Sequence, residues 1–353
     1  MILQRYILKE LWVHFFFTFA TVMGVSLLGT TFQVFRAFEG LGLALILKIA
    51  PLAVGHVAPW ALLVAAATAA TLVYGRMSAE NEVTAMRACG IGSFRILAPA
   101  LLFALALSAG AYGLAERVTP WSRHTKRVWG REAILEVLKV PPPGVQRFSI
   151  GAYRLSYLDF KEGMLDKPSL LRFDKEHLVM EYHAPRGEIL IVGTTVKIKM
   201  SRPRYTQFDP KSGEEHRFEA QSDIEVPLEI QDYKDPGVRP EDQPQEDLWR
   251  LYRAATDKKK RDYIRLILHT RYAQSAAPLL LVLVCAPIGI WVRKGSRLAG
   301  LGAALPPLLV YFIAFFISQS MGEGGRIGPL VAAWLPDAIL GIPAAVFLWR
   351  SRR

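Results

Sequence analysis

The sequence predicts an α-helical polytopic membrane protein with six transmembrane helices and an inserted antiparallel β domain. Three observations predict this fold class. The chain of 353 residues is 52% hydrophobic and carries a net charge of +12. Its lysines and arginines gather at the ends of six apolar runs, each long enough for a membrane span of about 20 residues. Between the third and fourth runs lies a long polar stretch whose alternating hydrophobicity is typical of β-strands.

The six apolar runs are the candidate spans: about 11–35, 49–73, 97–114, 272–292, 298–320 and 329–349. Arg5 and Lys9 precede the first run, and three arginines follow the last. Because short cytoplasmic loops collect Lys and Arg, both termini and the segments 74–96 and 293–298 are predicted to be cytoplasmic. The first run is predicted to remain as an anchor and not to be cleaved as a signal peptide.

Residues 116–245 are predicted to form a periplasmic β domain, and 246–271 a charged connecting helix. Apolar and polar residues alternate with period two in four segments of the β domain. The apolar members of these segments are Tyr153, Leu155 and Tyr157; Leu178, Met180 and Tyr182; Val196, Ile198 and Met200; and Ile224, Val226, Leu228 and Ile230. Turn signals separate them at 161–163, 185–187 and 209–213. Residues 1–115 and 272–353 then hold three spans each.

The charge and the cysteines exclude two other classes of protein. Basic residues lie at the ends of apolar runs and not on one basic face, so nucleic acid is not a predicted partner. The run from Lys258 to Arg261 is predicted to be a solvated face near lipid headgroups. Cys89 and Cys285 lie in or beside apolar segments, which excludes a disulfide framework.

No catalytic or metal-binding constellation is found in the sequence. It contains no phosphate-binding loop of the form GxxxxGK[ST], no HExxH, no GxSxG and no CxxC. Asp337 is the clearest carboxylate within a span, and a capping or packing role outweighs a proton relay there. We therefore predict no catalytic residue, no metal and no cofactor bound by this chain. Energy for uphill movement of a substrate must come from another chain.

A polar segment from Ser78 to Arg95 joins the second and third spans, with the sequence SAENEVTAMRACGIGSFR. It predicts a short helix at about 78–90, because Ser78 is a favourable N-cap and Gly90 a favourable terminator. On a helical projection Glu82 lies at the edge of the apolar face. The apolar face is Ala79, Val83, Met86 and Gly90, and the polar face is Glu80, Asn81, Thr84 and Arg87. Such a helix either docks into a groove or is a solvated link between two spans.

Three segments, in this order, resemble the permeases of the bacterial lipopolysaccharide-export ABC transporter, the LptF/LptG (YjgP/YjgQ) family. They are GRMSAENEVTAMRACGIG at Gly75–Gly92, APIGIWVRKGSRLAG at Ala286–Gly300 and GPLVAAWLPDAI at Gly328–Ile339. The resemblance covers essentially the whole chain. It implies a heterodimer with a second such permease, a cytoplasmic ABC ATPase dimer that uses ATP, and a periplasmic bridge protein that receives lipopolysaccharide. It also implies that the β domain is jelly-roll-like.

The resemblance implies that the polar segment is the coupling helix, which sits in a groove of the ATPase. Glu82 occupies the position of the family's coupling acid, and Ala85, Met86 and Arg87 lie beside it. Spans one and five are then expected to line a lateral opening for the lipid. Whether the chain is LptF-type or LptG-type stays open.

Five residues are candidates for contact with the lipid. Arg36 and Lys48 lie at the outer ends of spans, where they either bind lipid A phosphates or anchor the protein at the interface. Tyr157, Met180 and Ile198 lie on inward faces of predicted strands, which either enclose an apolar groove for acyl chains or form a closed core. Two competing functions are a lipid-modifying membrane enzyme and a membrane-anchored scaffold or sensor without transport.

Overall fold

The computed structural model describes residues 2–37, 50–126, 128–129, 147–150, 152–161, 163–174, 177–192, 195–208, 215–228, 239–292 and 297–351. The chain divides into two units. The first, helical unit comprises Met1–Leu27, Val54–Arg123 and Val238–Arg353. The second, which contains the β-strands, comprises Leu28–Ala53 and His124–Gly237.

Eight α-helices are described. They are α1 (Ile2–Ala37), α2 (Val54–Ala79), α3 (Glu82–Ala88), α4 (Ser93–Gly113), α5 (Gln245–Ala254), α6 (Lys258–Trp291), α7 (Arg297–Glu323) and α8 (Pro329–Ser351). Short 3₁₀ turns at Ala50–Ala53 and Pro240–Asp242 precede α2 and α5. All except α3 and α5 are long and apolar enough to cross a membrane, which confirms the six predicted spans.

The helices extend beyond the apolar runs that predict them. After α4 the backbone passes through one π-helical stretch, Leu114–Val118, and stays helical to Lys126. The helical part of the chain therefore continues past the predicted boundary at residue 115. The charged connecting helix predicted at 246–271 is two helices, because the chain leaves helical geometry after α5. Asp257 caps the start of α6 by accepting a hydrogen bond of 3.2 Å from the backbone N–H of Lys259.

The helical unit packs most closely around α2 and α6. In the most apolar part of each span, 72% of α2 is buried, compared with 17% of α1. Ala65, Ala66 and Ala69 of α2 are completely buried in the main hydrophobic cluster. Lipid tails are as apolar as leucine, so helices associate through close van der Waals contact, which small residues permit. α1 instead contributes one narrow stripe, in which Ile7 and Leu11 lie one turn apart.

Eleven strands are described in the second unit. They are β1 (Arg147–Ile150), β2 (Tyr153–Ser156), β3 (Asp159–Lys161), β4 (Met164–Asp166), β5 (Ser169–Asp174), β6 (His177–His183), β7 (Arg186–Val192), β8 (Thr195–Ser201), β9 (Arg204–Phe208), β10 (Glu215–Glu219) and β11 (Ile224–Leu228). They form a six-stranded sheet in the order β1-β2-β5-β6-β9-β10 and a five-stranded sheet in the order β11-β8-β7-β4-β3. Every described pairing is antiparallel.

The four alternating segments predicted from the sequence correspond to β2, β6, β8 and β11. Their apolar residues on β2, β8 and β11 join Leu165 of β4 and Leu170 of β5 in one hydrophobic cluster, so both sheets contribute to a single core. The predicted turn at 161–163 joins β3 to β4, and Gly163 supplies the required positive φ of 82°. Ile230 and the turn at 209–213 lie outside the described residues.

Candidate functional site

The short helix α3 lies between the two spans α2 and α4, within the predicted segment but shorter than expected. Asn81 has a left-handed φ of 60°, which ends α2 and lets Glu82 begin a new helix. At the other end Gly90 has a φ of 80°, and the N–H of Ile91 donates to the carbonyl oxygen of Met86 at 3.0 Å. This is the glycine-terminated C-cap that the sequence predicts.

The predicted capping role of Ser78 is wrong. Ser78 belongs to the last turn of α2, and its hydroxyl donates a 2.8 Å hydrogen bond to the carbonyl oxygen of Ile290 near the end of α6. Sequence alone made Ser78 a good N-cap for the next helix. In the folded chain the Ser78 hydroxyl instead binds the carbonyl oxygen of Ile290, because a buried carbonyl at a helix end requires a donor.

The two faces of α3 differ in what they contact. Val83 and Met86 are buried in the main hydrophobic cluster of the same chain, so neither is exposed to a partner in this conformation. The outward face is exposed and consists of Thr84, Ala85, Arg87 and Ala88. Of the residues predicted for coupling, the structure places Ala85 and Arg87 on this outward face and Met86 beneath it. We call the outward face, together with Glu82 at its edge, the α3 surface.

Glu82 is half-buried and lies close to other charged groups. The hydroxyl of Tyr6 lies 3.5 Å from its Oε1. Burial raises the pKa of the Glu82 carboxyl, and the nearby guanidinium of Arg76 opposes that rise. The side chain of Glu80 also lies within hydrogen-bonding reach. The predicted placement of Glu80 on the opposite face is therefore wrong, because Glu80 and Asn81 form a turn and only Glu82 lies in α3.

Two of the long helices leave broad apolar surfaces uncovered within the chain. On α1 the exposed residues include Phe16 and Phe17, and on α7 they include Ile313 and Phe316. These are spans one and five, the pair expected to line the lateral opening. Their uncovered faces suit contact with lipid or with another apolar helix.

The β unit separates the three predicted lipid-contacting residues. Tyr157 and Ile198 are 7% and 0% exposed within the closed core, whereas Met180 is half-buried outside it. Beside Met180, one row of side chains crosses five neighbouring strands of the six-stranded sheet. The row is Leu155, Leu170, Tyr182, Tyr205 and Phe218. It begins in the core and ends at Phe218, which is 45% exposed on the last strand.

The family model described as "Lipopolysaccharide export system permease LptF/LptG" matches residues 5–350, nearly the whole chain. The chain belongs to the LptF/LptG family. No curated protein matches it as a relative. The family is one of transporter permease subunits, and with six apolar helices this chain is a multi-pass inner-membrane protein.

Within this LptF/LptG permease, the predicted outer-end cations are not described in atomic detail. Arg36 lies in α1, but its side chain is outside the described part of the structure, and Lys48 is outside it altogether. Their role as phosphate-binding residues stays a prediction.

Three other polar features of the permease lie outside the α3 surface. No group of three or more His, Cys, Asp or Glu side chains that could hold a metal ion occurs among the described residues. Lys258 and Lys260 are exposed, as predicted, and line a cavity of about 770 Å³ that Asp262 and Glu323 also line. Asp337 in α8 is 4% exposed, and neither carboxylate oxygen has a hydrogen-bond partner in the described structure.

Sequence reasoning missed the part played by Arg76 and Tyr6. From the sequence, Arg76 is only one of the cations within the predicted cytoplasmic segment 74–96. In the structure its guanidinium donates to the Tyr6 hydroxyl at 2.9 Å, across 70 positions of sequence. No local pattern predicts such a contact, because it depends on how α1 packs against α2.

Proposed function

We propose that this chain is one of the two permeases of an ATP-driven lipopolysaccharide exporter. It takes lipopolysaccharide from the outer leaflet of the inner membrane and passes it through its periplasmic β domain to a bridge protein. The match of the LptF/LptG family to residues 5–350 carries this proposal. The six spans and the two-sheet domain inserted between the third and the fourth support it.

ATP hydrolysis takes place in a separate cytoplasmic ATPase dimer. The chain has no phosphate-binding loop of its own, so a partner must supply the energy. The α3 surface is the proposed contact. It offers a carboxylate and a guanidinium, Glu82 and Arg87, beside the small exposed side chain of Ala85. A small residue flanked by charges permits close approach of a partner surface and fixes its register by electrostatic complementarity.

The lipid enters between this chain and the second permease. The uncovered faces of α1 and α7 are the proposed walls of that opening, since an amphiphile in the membrane reaches the protein from the side. Arg36 and Lys48 remain the proposed contacts for its phosphates, through charge-assisted hydrogen bonds.

The acyl chains then meet the β domain, which we propose to be jelly-roll-like. Of the residues on this face of the six-stranded sheet, Met180, Tyr205 and Phe218 are the best placed for contact with a lipid, because they lie outside the buried core, towards the last strand of the sheet. Ile198 and Tyr157 are buried in the core and are not exposed to a lipid in this conformation.

The decisive experiment reconstitutes this chain with its partner permease and ATPase in vesicles that contain lipopolysaccharide, with purified bridge protein outside. We expect ATP-dependent transfer of lipopolysaccharide to the bridge protein. A complex whose ATPase subunits cannot hydrolyse ATP is the matched control. Failure of this chain to co-purify with any ATPase, or transfer that is independent of ATP, contradicts the proposal and favours a scaffold or an enzyme.

A further inference from the structure

Five polar side chains, from three helices and from the turn between α2 and α3, meet at the end of the helical unit that carries α3. Arg76 of α2 lies at the centre. Its Nη2 donates to the Tyr6 hydroxyl at 2.9 Å and lies 3.4 Å from Oε2 of Glu10, both on α1. Its Nη1 lies 3.8 Å from Oε2 of Glu80. The Tyr6 hydroxyl lies 3.5 Å from Oε1 of Glu82, the first residue of α3. We call these five residues the Arg76 cluster.

The charges of the Arg76 cluster make Arg76 indispensable to it. One guanidinium faces three carboxylates, and the Arg76 side chain is only 26% exposed. Without the guanidinium, three negative groups would lie together in a partly desolvated place, and they would repel one another. A planar guanidinium suits this position because it presents several donors in fixed directions, whereas an ammonium is a single point charge.

The geometry also gives Tyr6 a specific position. Its hydroxyl lies between Arg76 and Glu82, so one oxygen atom of α1 is shared by α2 and α3. Glu82 is at the same time the acid at the edge of the α3 surface. A displacement of α3 therefore changes the environment of Tyr6 directly, with no intervening side chain.

The rest of α1 is loosely held within the chain. Among the side chains of α1 that the structure describes, those at positions 2–32, the buried ones are the stripe Ile7, Leu11 and Phe15, followed by Met23, and the other faces are largely uncovered. A helix held by one narrow stripe moves more readily than α2, which is buried on nearly all sides. The Arg76 cluster is the polar attachment of this helix near the α3 surface.

We propose that Arg76 and Tyr6 are positioning residues that transmit movement of α3 to α1. This rests on the proposed function, in which an ATPase moves α3 and α1 borders the lipid opening. The simpler interpretation is a surface ion-pair network that only adds stability, and such networks contribute little when exposed. Substitution distinguishes the two interpretations. If the cluster transmits movement, its loss lowers the amount of lipid transferred per ATP; if it only adds stability, that ratio does not change.

The experiment compares Tyr6→Phe, Arg76→Gln and Arg76→Lys in the reconstituted complex. Three quantities are measured: co-purification of the ATPase, the rate of ATP hydrolysis, and lipopolysaccharide transferred per ATP hydrolysed. We expect the first two to stay near wild type and the third to fall about 5- to 150-fold, the usual range of coupling between sites. Arg76→Lys should restore part of the loss, because it keeps the charge but not all the contacts.

Tyr6→Phe is the critical variant because it removes one hydroxyl and keeps the ring, so the fold is preserved even if Arg76→Gln proves unstable. Arg95→Gln and Tyr112→Phe are matched controls, both exposed in the structure and outside the cluster. Normal transfer per ATP in Tyr6→Phe overturns the inference, and so does loss of ATPase binding in that variant. If the unaltered chain binds no ATPase, it is the proposed function that fails.

Discussion

The hydroxyl of Ser78 donates a hydrogen bond to the carbonyl oxygen of Ile290, and so joins the end of α2 to the end of α6. Ile290 lies in the last turn of α6, where backbone carbonyls have no partner within their own helix. Ser78 is 3% exposed, so water does not replace it readily. This contact lies at the end of α2, immediately before α3 begins.

Ser78→Ala should therefore destabilise the protein. The substitution leaves a buried carbonyl oxygen unpaired, which costs about 1 to 3 kcal/mol. Thermal unfolding of the purified protein in detergent measures the change. Ser320→Ala, at an exposed position of α7, is the matched control and should unfold like wild type. Equal unfolding temperatures for both variants would show that the hydrogen bond contributes nothing.

The close approach of α2 and α6 predicts a second stability effect. A Cβ at Gly289 would lie 2.8 Å from the carbonyl oxygen of Thr71, and both groups belong to rigid helices. Gly289→Ala should therefore separate the helices and cost about 1 to 3 kcal/mol. Gly110→Ala is the control, because a Cβ there meets nothing within 4 Å and alanine is the better helix former. The same detergent unfolding assay should show opposite signs for the two variants.

The α3 surface predicts which substitutions separate the permease from its ATPase. Glu82→Lys and Arg87→Glu should insert and fold normally, yet lose ATPase binding by at least about tenfold, since a broken charge pair at an interface is costly. Co-purification of the ATPase and ATP-driven lipid transfer measure the effect. Arg95→Glu, exposed just after the α3 surface, should be nearly silent. Wild-type transport by Glu82→Lys contradicts the coupling role.

Membrane topology can be tested by labelling one natural cysteine and one introduced cysteine. Cys89 is exposed at the end of α3 and is predicted to be cytoplasmic, whereas Lys161 is exposed at the end of β3 and is predicted to be periplasmic. A membrane-impermeant maleimide applied to intact cells should label Lys161→Cys and leave Cys89 unlabelled until the inner membrane is opened. The reverse pattern would invert the whole topology.

The β domain predicts a contrast between one position on each sheet, Tyr205 on the six-stranded sheet and Ile198 on the five-stranded sheet. A photocrosslinker at Tyr205, on the row that opens to the sheet edge, should trap lipopolysaccharide during turnover. A crosslinker at Ile198, which is completely buried in the closed core, should trap none. Immunoblotting for lipid-linked protein distinguishes the two. Crosslinking at Ile198 as strong as at Tyr205 would mean that the core opens to form a groove.

Features that depend on neighbouring residues along the chain were predictable from the sequence. Long apolar runs predict membrane spans because the bilayer core has a set thickness, and the six predicted spans are all present as long apolar helices. Alternation of apolar and polar residues predicted β2, β6, β8 and β11, because successive side chains of a strand face opposite sides of the sheet. Gly90 ended α3 as expected, since glycine adopts a positive φ without strain.

Features that depend on partners distant in sequence were decided only by the tertiary structure. The local sequence makes Ser78 a favourable N-cap, but its hydroxyl binds the carbonyl oxygen of Ile290, 212 positions away. Met86 is predicted to contact the ATPase, but the packed helices of this chain bury it. Ile198 and Met180 both lie on the apolar side of an alternating strand, yet only Ile198 is buried in the core. Arg76 and Tyr6 likewise come into contact only because α1 packs against α2. Hydropathy and local propensity state which face of an element is apolar, whereas burial, hydrogen bonding and charge pairing depend on which other element covers that face.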